Sequence, residues 1–282
     1  MNRAKVQIIV PVYNAQEYLR KCLDSLKEQK FTDWEAIIID DASSDSSADI
    51  IKEYQNSDGR FTYVLLDKNK GVSNARNTAL AMLSGEYTAF IDSDDYWEKD
   101  MLSKMVETAQ KNDADIVQCS FIYDFSGGKT FLPKGAFNRD IELSGDGLKK
   151  VYLRMMTGIN MNHVCMKLIR TELIGDLRFE TDLKTAEDLQ FCIRLFGKVK
   201  KYCFINKAMY HYRRSNESLT GSGISGKEKL RANRRVSIDM KKALAGWGMD
   251  NFLYRRLCEL RPYIITASKI VRIFREKLFT QK

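Results

Sequence analysis

The first 120 residues change hydrophobic period repeatedly, and this alternation constrains the fold more than any other feature. Apolar runs at 6–12, 36–39, 63–66, 87–91 and 116–117, several rich in Val and Ile, predict buried strands. Between them apolar residues recur at helical spacing. One set is Tyr18, Leu19, Cys22, Leu23 and Leu26; a second is Val72, Ala75, Ala79 and Met82; a third is Met101, Leu102, Met105, Val106 and Ala109. Asn14 followed by Glu17 predicts a capping box on the first helix. Strands and helices in alternation, joined by short connections, predict a mostly parallel sheet covered on both faces. Ligands of such sheets sit beyond the carboxyl ends of the strands.

Those ends are rich in polar groups. The first strand closes on Pro11-Val12-Tyr13-Asn14 and the second on Asp40-Asp41-Ala42-Ser43-Ser44-Asp45. The third helix opens in Asn69-Lys70-Gly71-Val72-Ser73-Asn74-Ala75-Arg76-Asn77, and the fourth strand runs into Asp92-Ser93-Asp94-Asp95. Three carboxylates within four residues repel one another unless a cation or strong donors compensate them. Hard divalent cations take such oxygens, and Mg²⁺ or Mn²⁺ commonly shares its shell between protein and substrate phosphates. Each segment also has a plain structural reading. The acidic turn could cap a helix near Trp97, Asp40-Asp41 could form an Asx turn, and Arg76 could make a surface ion pair. Arg76 near a helix start could equally meet an anion. Convergence on one sheet edge favours a site.

Taken together these segments resemble the family 2 glycosyltransferases, of the kind that build bacterial polysaccharides, whose fold is GT-A. They occur in family order over residues 6–97, joined by Gly85-Glu86-Tyr87 ahead of the acidic turn. The resemblance implies a Rossmann-like α/β domain that moves a sugar from a nucleotide-sugar, usually a UDP-sugar, to a hydroxyl of a glycan or lipid-linked acceptor, with inversion. It implies that Pro11 and Tyr13 line the nucleoside pocket, that Asp41 accepts from the base, and that Asn69 and Arg76 face the nucleotide. Asp92-Ser93-Asp94 matches the family's D-x-D signature. Asp94 or Asp95 would hold Mn²⁺ or Mg²⁺ on the diphosphate, with Asp92 or Asp94 near the ribose. Glu187-Asp188 resembles the family's acidic pair, with Asp188 favoured over Glu187 as general base. Arg213 or Arg214 would neutralise the leaving group, and His211 would complete the metal shell.

Beyond residue 120 the pattern loosens. Helical patterns at 148–156 and 189–196, a strand at 202–205 and a turn at 126–129 are expected. Gly221, Ser222, Gly223, Ser225 and Gly226 predict a flexible segment. Two basic helical patterns follow, 228–244 and 252–278, the second interrupted or kinked by Pro262. The expected organisation is a GT-A domain over 1–225, with a nucleotide-binding half to 120 and an acceptor half after it, then a basic helical extension over 226–282.

Charge is unevenly placed. The chain carries +9, but residues 213–282 hold 17 Lys and Arg against 6 Asp and Glu, leaving the remainder at −2. A basic tail without a recognised motif or interleaved aromatics argues against a nucleic-acid partner. It leaves open an anionic membrane surface, packing on the same domain, or a twin subunit. Six cysteines without a C-x-x-C pair predict reduced, buried thiols, and neither a leader nor a spanning segment is read. The expected location is the cytoplasm, at or near the inner face of the membrane. Two rival readings stand beside transfer: a module that binds nucleotide-sugar without catalysis, and a receiver-like phosphotransfer domain. Placement of Asp40-Asp41 on the second strand, not the first, argues against the receiver.

Overall fold

The computed structural model describes residues 4–125, 128–158, 161–214 and 224–263. Its centre is one sheet with the order β3-β2-β1-β4-β9-β6-β10-β5. The strands are β1 (Val6–Val12), β2 (Trp34–Asp40), β3 (Phe61–Leu65), β4 (Tyr87–Phe90), β5 (Tyr96–Trp97), β6 (Ile116–Phe125), β9 (Lys167–Arg170) and β10 (Lys201–Arg214). Two short strands, β7 (Thr130–Phe131) and β8 (Ile141–Ser144), pair with β6 and β10. The pairings β2–β3, β1–β2, β1–β4 and β6–β10 are parallel and carry most of the register. This is the mostly parallel α/β architecture expected, and every residue of β1 is buried.

The helices α1 (Leu19–Lys27) and α4 (Met101–Asn112) bury the apolar faces read from the sequence, whereas α3 (Val72–Leu80) buries Ala75 and Ala79 but leaves Val72 exposed, as is Met82 just past its end. α7 (Glu187–Phe196) buries Leu189, Cys192, Ile193 and Phe196, and α5 (Lys149–Thr157) forms where the 148–156 pattern is expected. Two other helices are α6 (Thr171–Ile174) and α8 (Gly226–Ala243). A further helical stretch covers 252–263. All six cysteines are buried and unpaired.

Several expectations change. The capping box at Asn14 does not form, because α1 begins five residues later behind Tyr18 without a side-chain cap. Asn14 instead takes a left-handed backbone (φ 47°), and its Oδ1 accepts from the Ser44 N–H at 2.8 Å. The sequence reading passed over α2 (Ser47–Ser57), whose buried apolar residues are only Ile50, Ile51 and Tyr54 among polar neighbours. It also passed over β9, a four-residue strand bounded by Lys167 and Arg170 and inserted antiparallel between β4 and β6. β10 is far longer than 202–205, because pairing with β6 resumes after register shifts at Ile205/Ala208 and Ala208/Tyr210. A bulge of this kind lets a strand pass through a polar interruption such as Asn206-Lys207. The 120/121 division of the domain falls inside β6, so both halves share one sheet. Residues 252–263 stay helical through Pro262; the remainder of that pattern, residues 126–127 of the expected turn and most of the Gly/Ser segment lie outside the described residues.

The basic helix α8 starts with a full capping box between Ser225 and Glu228. It is tied to the α/β body by Arg235–Asp182 (2.5 Å) and Lys184–Glu228 (3.0 Å).

Candidate active site

The carboxyl ends of β1, β2 and β4 lie side by side, since all three strands run parallel. Val12 is in register with Asp40, and the Asp41 N–H donates to the Val12 carbonyl at 2.8 Å. The polar ends of separate sequence segments are therefore neighbours because of sheet register.

Asp41 is buried, and its carboxylate accepts from the backbone N–H groups of Lys70 (2.8 Å) and Gly71 (2.6 Å). It thereby fixes the loop that opens α3. Gly71 has φ 87° there, a conformation that L side chains rarely adopt. The following turn carries Arg76 inward. Arg76 is only 3% exposed and bridges two distant segments. One guanidinium nitrogen donates to Asp188 Oδ1 at 2.6 Å and the other to Asp92 Oδ1 at 2.9 Å. Glu187 lies 3.7 Å from the same group, and the Phe179 ring packs 5.2 Å beneath it. The charges of Asp188 and Asp92 hold the guanidinium protonated despite burial.

Glu187 and Asp188 occupy the first turn of α7, where negative charge meets the positive end of the helix dipole. They do not cap it: the preceding Ala186 sits at φ 64° with no side-chain cap bond. Asn14, Ala42 and Met166 share this left-handed strain. Residues held in such conformations cost about 1–3 kcal/mol each and cluster where function demands a particular geometry. Asp188 also accepts from the Val164 N–H at 3.2 Å, so the loop before β9 leans on it. That loop is pinned from below by the buried Lys167 ammonium, which donates to the carbonyls of Met161 and His163.

Burial and the adjacent Asp188 push the Glu187 carboxyl from 4.5 up to about 7. A raised carboxyl stabilises the fold fully below its unfolded value, and that contribution is lost as pH rises through its folded value. Glu187→Gln is therefore expected to raise the melting temperature at pH 8, by roughly 1–3 kcal/mol equivalent, and to lose this advantage near pH 4.5. Melting curves of both proteins from pH 4 to 8.5 check it; a gap independent of pH would show that charge is not the cause.

The acidic turn after β4 divides its labour. Asp95 is 1% exposed; its Oδ2 accepts from the Tyr210 hydroxyl at 2.5 Å and its Oδ1 from the Arg213 N–H at 2.8 Å. It ties the turn to β10. Asp94 is partly exposed, and among the described residues no other residue donates a hydrogen bond to its carboxylate. Burial and the charge of Asp92 push it up to about 6. An acid raised in this way, with its oxygens open, favours a cation beside it.

The remaining expected residues are placed as follows. Pro11 is buried at the end of β1, while Tyr13, Ser93 and Asn69 are wholly or partly exposed at the same edge. The Arg213 guanidinium lies 4.5 Å over the Tyr18 ring and 5.8 Å from Tyr96, beside the acidic turn. Arg214 turns away onto Tyr123. His211 stacks on Tyr96 with centroids 4.2 Å apart, and its Nε2 meets Glu98 at 2.8 Å. Of the three residues expected around a metal, Asp95 is held by Tyr210 and the Arg213 N–H and His211 by Tyr96 and Glu98, whereas Asp94 is the one left for a cation to approach freely. Among the described residues no three His, Cys, Asp or Glu form a cage. Between Asp94 and Asp95, it is Asp94 that keeps an open carboxylate among the described residues.

The sequence reading missed Tyr210, the Val164 N–H, Phe179 and Lys167 as parts of this site. Each belongs to a segment whose local pattern is ordinary, so only its tertiary partner gives it a role.

Residues 7–178 match the family profile described as glycosyl transferase family 2. A putative glycosyltransferase, EpsH of Bacillus subtilis, is 33% identical over 99% of this chain and 82% of its own length. EpsJ of the same organism, an uncharacterized glycosyltransferase, is 32% identical over 76% of this chain; the match spans 62% of EpsJ. The crystal structure of S. aureus TarS 1-349 in complex with UDP-GlcNAc superposes with a TM-score of 0.72 at 25% identity, over 86% of this chain and 71% of that one.

Proposed function

The chain belongs to glycosyl transferase family 2, and from that premise we propose that it moves a sugar from a UDP-sugar to a hydroxyl of a cell-surface glycan or its lipid-linked precursor, inverting the transferred carbon. The GT-A fold and the glycosyltransferase relatives support nucleotide-sugar transfer to a glycan acceptor as the coarse activity. A relative that matches 85% of this chain, TarS, is a poly(ribitol-phosphate) beta-N-acetylglucosaminyltransferase, and this supports UDP as the carrier and a surface glycan as acceptor. The observation that carries the reading is Arg76, which joins Asp92 of the D-x-D turn to Asp188 of α7 within one buried ion-pair network.

The donor lies along the sheet edge, its nucleoside beside Pro11, Tyr13, Asp41 and Asn69. Ser93 and Asp92 face the ribose and diphosphate side. Asp94 fits a divalent cation, Mn²⁺ or Mg²⁺, because its carboxylate is open, partly exposed and raised by a neighbouring charge. One protein carboxylate completed by substrate phosphates is an ordinary shell for such an ion. When bound it supplies charge neutralisation on the diphosphate. Arg213 adds positive charge at the same end. The acceptor hydroxyl approaches from the α7 side. Its oxygen attacks the anomeric carbon as Asp188 takes its proton, and the bond to the diphosphate oxygen breaks, releasing the nucleoside diphosphate with that electron pair. Arg76 and the Val164 N–H hold Asp188 in place. Glu187, raised beside it, keeps a second full charge from building up at neutral pH.

The receiver-like alternative ends with family membership, and the relatives' transferase descriptions count against a module that only binds. A thermal-shift panel with Mn²⁺ tests the donor. A bound ligand at 100 times its Kd adds about 2.7 kcal/mol of stability. UDP-GlcNAc or UDP-glucose is expected to raise the melting temperature, and GDP-mannose to leave it in place. A shift with GDP-mannose alone would move the donor to the other nucleotide, and none with any nucleotide-sugar would sink the reading.

A further inference from the structure

The C-terminal helices present a surface that the transfer reaction does not use. In the helix over 252–263, Phe252, Tyr263, Arg256, Leu260 and Leu253 fall within one arc of about 100° at helical periodicity. The four apolar members are 76%, 59%, 53% and 69% exposed respectively. Arg256 lies over the Phe252 ring at 5.5 Å. The opposite face is the anchored one. Cys258 and Arg261 are buried, Tyr254 and Leu257 pack on the core, and Arg261 bonds Asn233 of α8 at 3.2 Å; Glu259, at the edge of the stripe, pairs with Lys241 at 2.6 Å and with Arg256 at 2.9 Å. A surface helix that buries one apolar face normally keeps its outer face polar. This one has apolar residues on both.

The neighbouring α8 supplies the charge. Lys227, Arg231, Arg234, Ile238 and Lys242 share its outer face, with Leu230 beside them, and Ile238 is 56% exposed. Among the described residues none of these four cations pairs with a carboxylate. In contrast Arg235, at the edge of this face, meets Asp182 and Glu180. A partner for this pair of helices must therefore offer both negative charge and an apolar layer. A nucleic acid offers only the first. A second copy of the chain would bring like-charged faces together. An anionic bilayer offers both, and a helix lying in its interface buries an apolar stripe while cations reach the headgroups. No described helix is long and apolar enough to cross a membrane.

We propose that the helical pair formed by α8 and residues 252–263 docks the protein onto an anionic lipid surface, with Phe252, Leu253, Leu260 and Tyr263 entering the interface and Lys227, Arg231, Arg234 and Lys242 meeting the headgroups. This goes beyond the transfer reading and stands apart from it. Binding is measured without nucleotide, so its failure leaves the donor assignment untouched.

The test uses the full chain in co-sedimentation with phosphatidylcholine vesicles, with and without phosphatidylglycerol. The native protein is expected to partition at least tenfold more strongly onto the anionic vesicles and to come off as salt rises. The double variant Leu253→Ser/Leu260→Ser and the double variant Arg231→Glu/Arg234→Glu are each expected to lose about tenfold or more, with melting temperatures and UDP-sugar shifts like the native protein's. Equal partitioning onto both vesicle types, or undiminished binding by both variants, overturns the proposal. So does a concentration-dependent dimer in sedimentation velocity that the Leu253/Leu260 variant dissolves, because the stripe would then be a subunit interface.

Discussion

Asp188→Asn is expected to lower turnover by about 10²–10⁴-fold, the range for losing a positioned general base, while leaving the KM for the UDP-sugar near its native value. The split follows from position. Asp188 sits in the first turn of α7, across Arg76 from the D-x-D turn. A base acts on the acceptor proton, so its removal raises the barrier of the chemical step without touching the nucleoside. Asn keeps an oxygen for Arg76 but presents an amide to the Val164 N–H, which accepts nothing. A stability cost of about 1–2 kcal/mol therefore accompanies the loss, too small to unfold a domain of this size. Steady-state kinetics on both substrates, with a melt as control, checks it. The comparison with Glu187→Gln is decisive. If the large loss of turnover follows Glu187 while Asp188→Asn stays active, the two carboxylates exchange roles. If neither variant loses turnover, the acidic pair is not the base.

The second large effect separates two adjacent aspartates. Asp94→Ala is expected to reduce kcat/KM by about 10²–10³-fold, the magnitude for losing one electrostatic contact to a developing charge, with no loss of stability. The fold gains nothing from the Asp94 charge. Burial and Asp92 raise its carboxyl to about 6, so removing it relieves repulsion at neutral pH. Asp95→Ala should do the reverse to the fold. It leaves the buried Tyr210 hydroxyl and the Arg213 N–H without their acceptor. Each unsatisfied donor costs about 1–3 kcal/mol, so a fall in melting temperature is expected along with lost activity. Melts and transfer assays of both variants give the answer. A destabilised Asp94→Ala with an intact Asp95→Ala would reverse the assignment of the cation-facing and structural carboxylates.

The physical distinction between these two residues is invisible in Asp92-Ser93-Asp94-Asp95 itself. The sequence could offer both as metal ligands, because spacing along a turn does not say which side chain points into the fold. The answer comes from β10, more than a hundred residues away, whose Tyr210 and Arg213 claim Asp95. The partners of His211 are hidden in the sequence for the same reason. A histidine beside an arginine pair looks available until Tyr96 and Glu98 arrive from β5 and its flank. Arg76 shows the converse. Its motif position marked it as a donor-facing residue, and the fold also makes it a buried clasp between two carboxylate segments, the farther of them 112 residues from Arg76.

What the sequence determined alone was the architecture and the sheet edge that carries the chemistry. Hydrophobic periodicity is a local property, repeated over each strand and helix, and parallel pairing then places the carboxyl ends of the parallel strands on one side whatever lies between them. What the tertiary structure decided was which of the gathered polar groups stay open and which are consumed by the fold. Hydrogen-bond partners, burial and the resulting proton affinities depend on residues distant in the chain, and no local pattern encodes them.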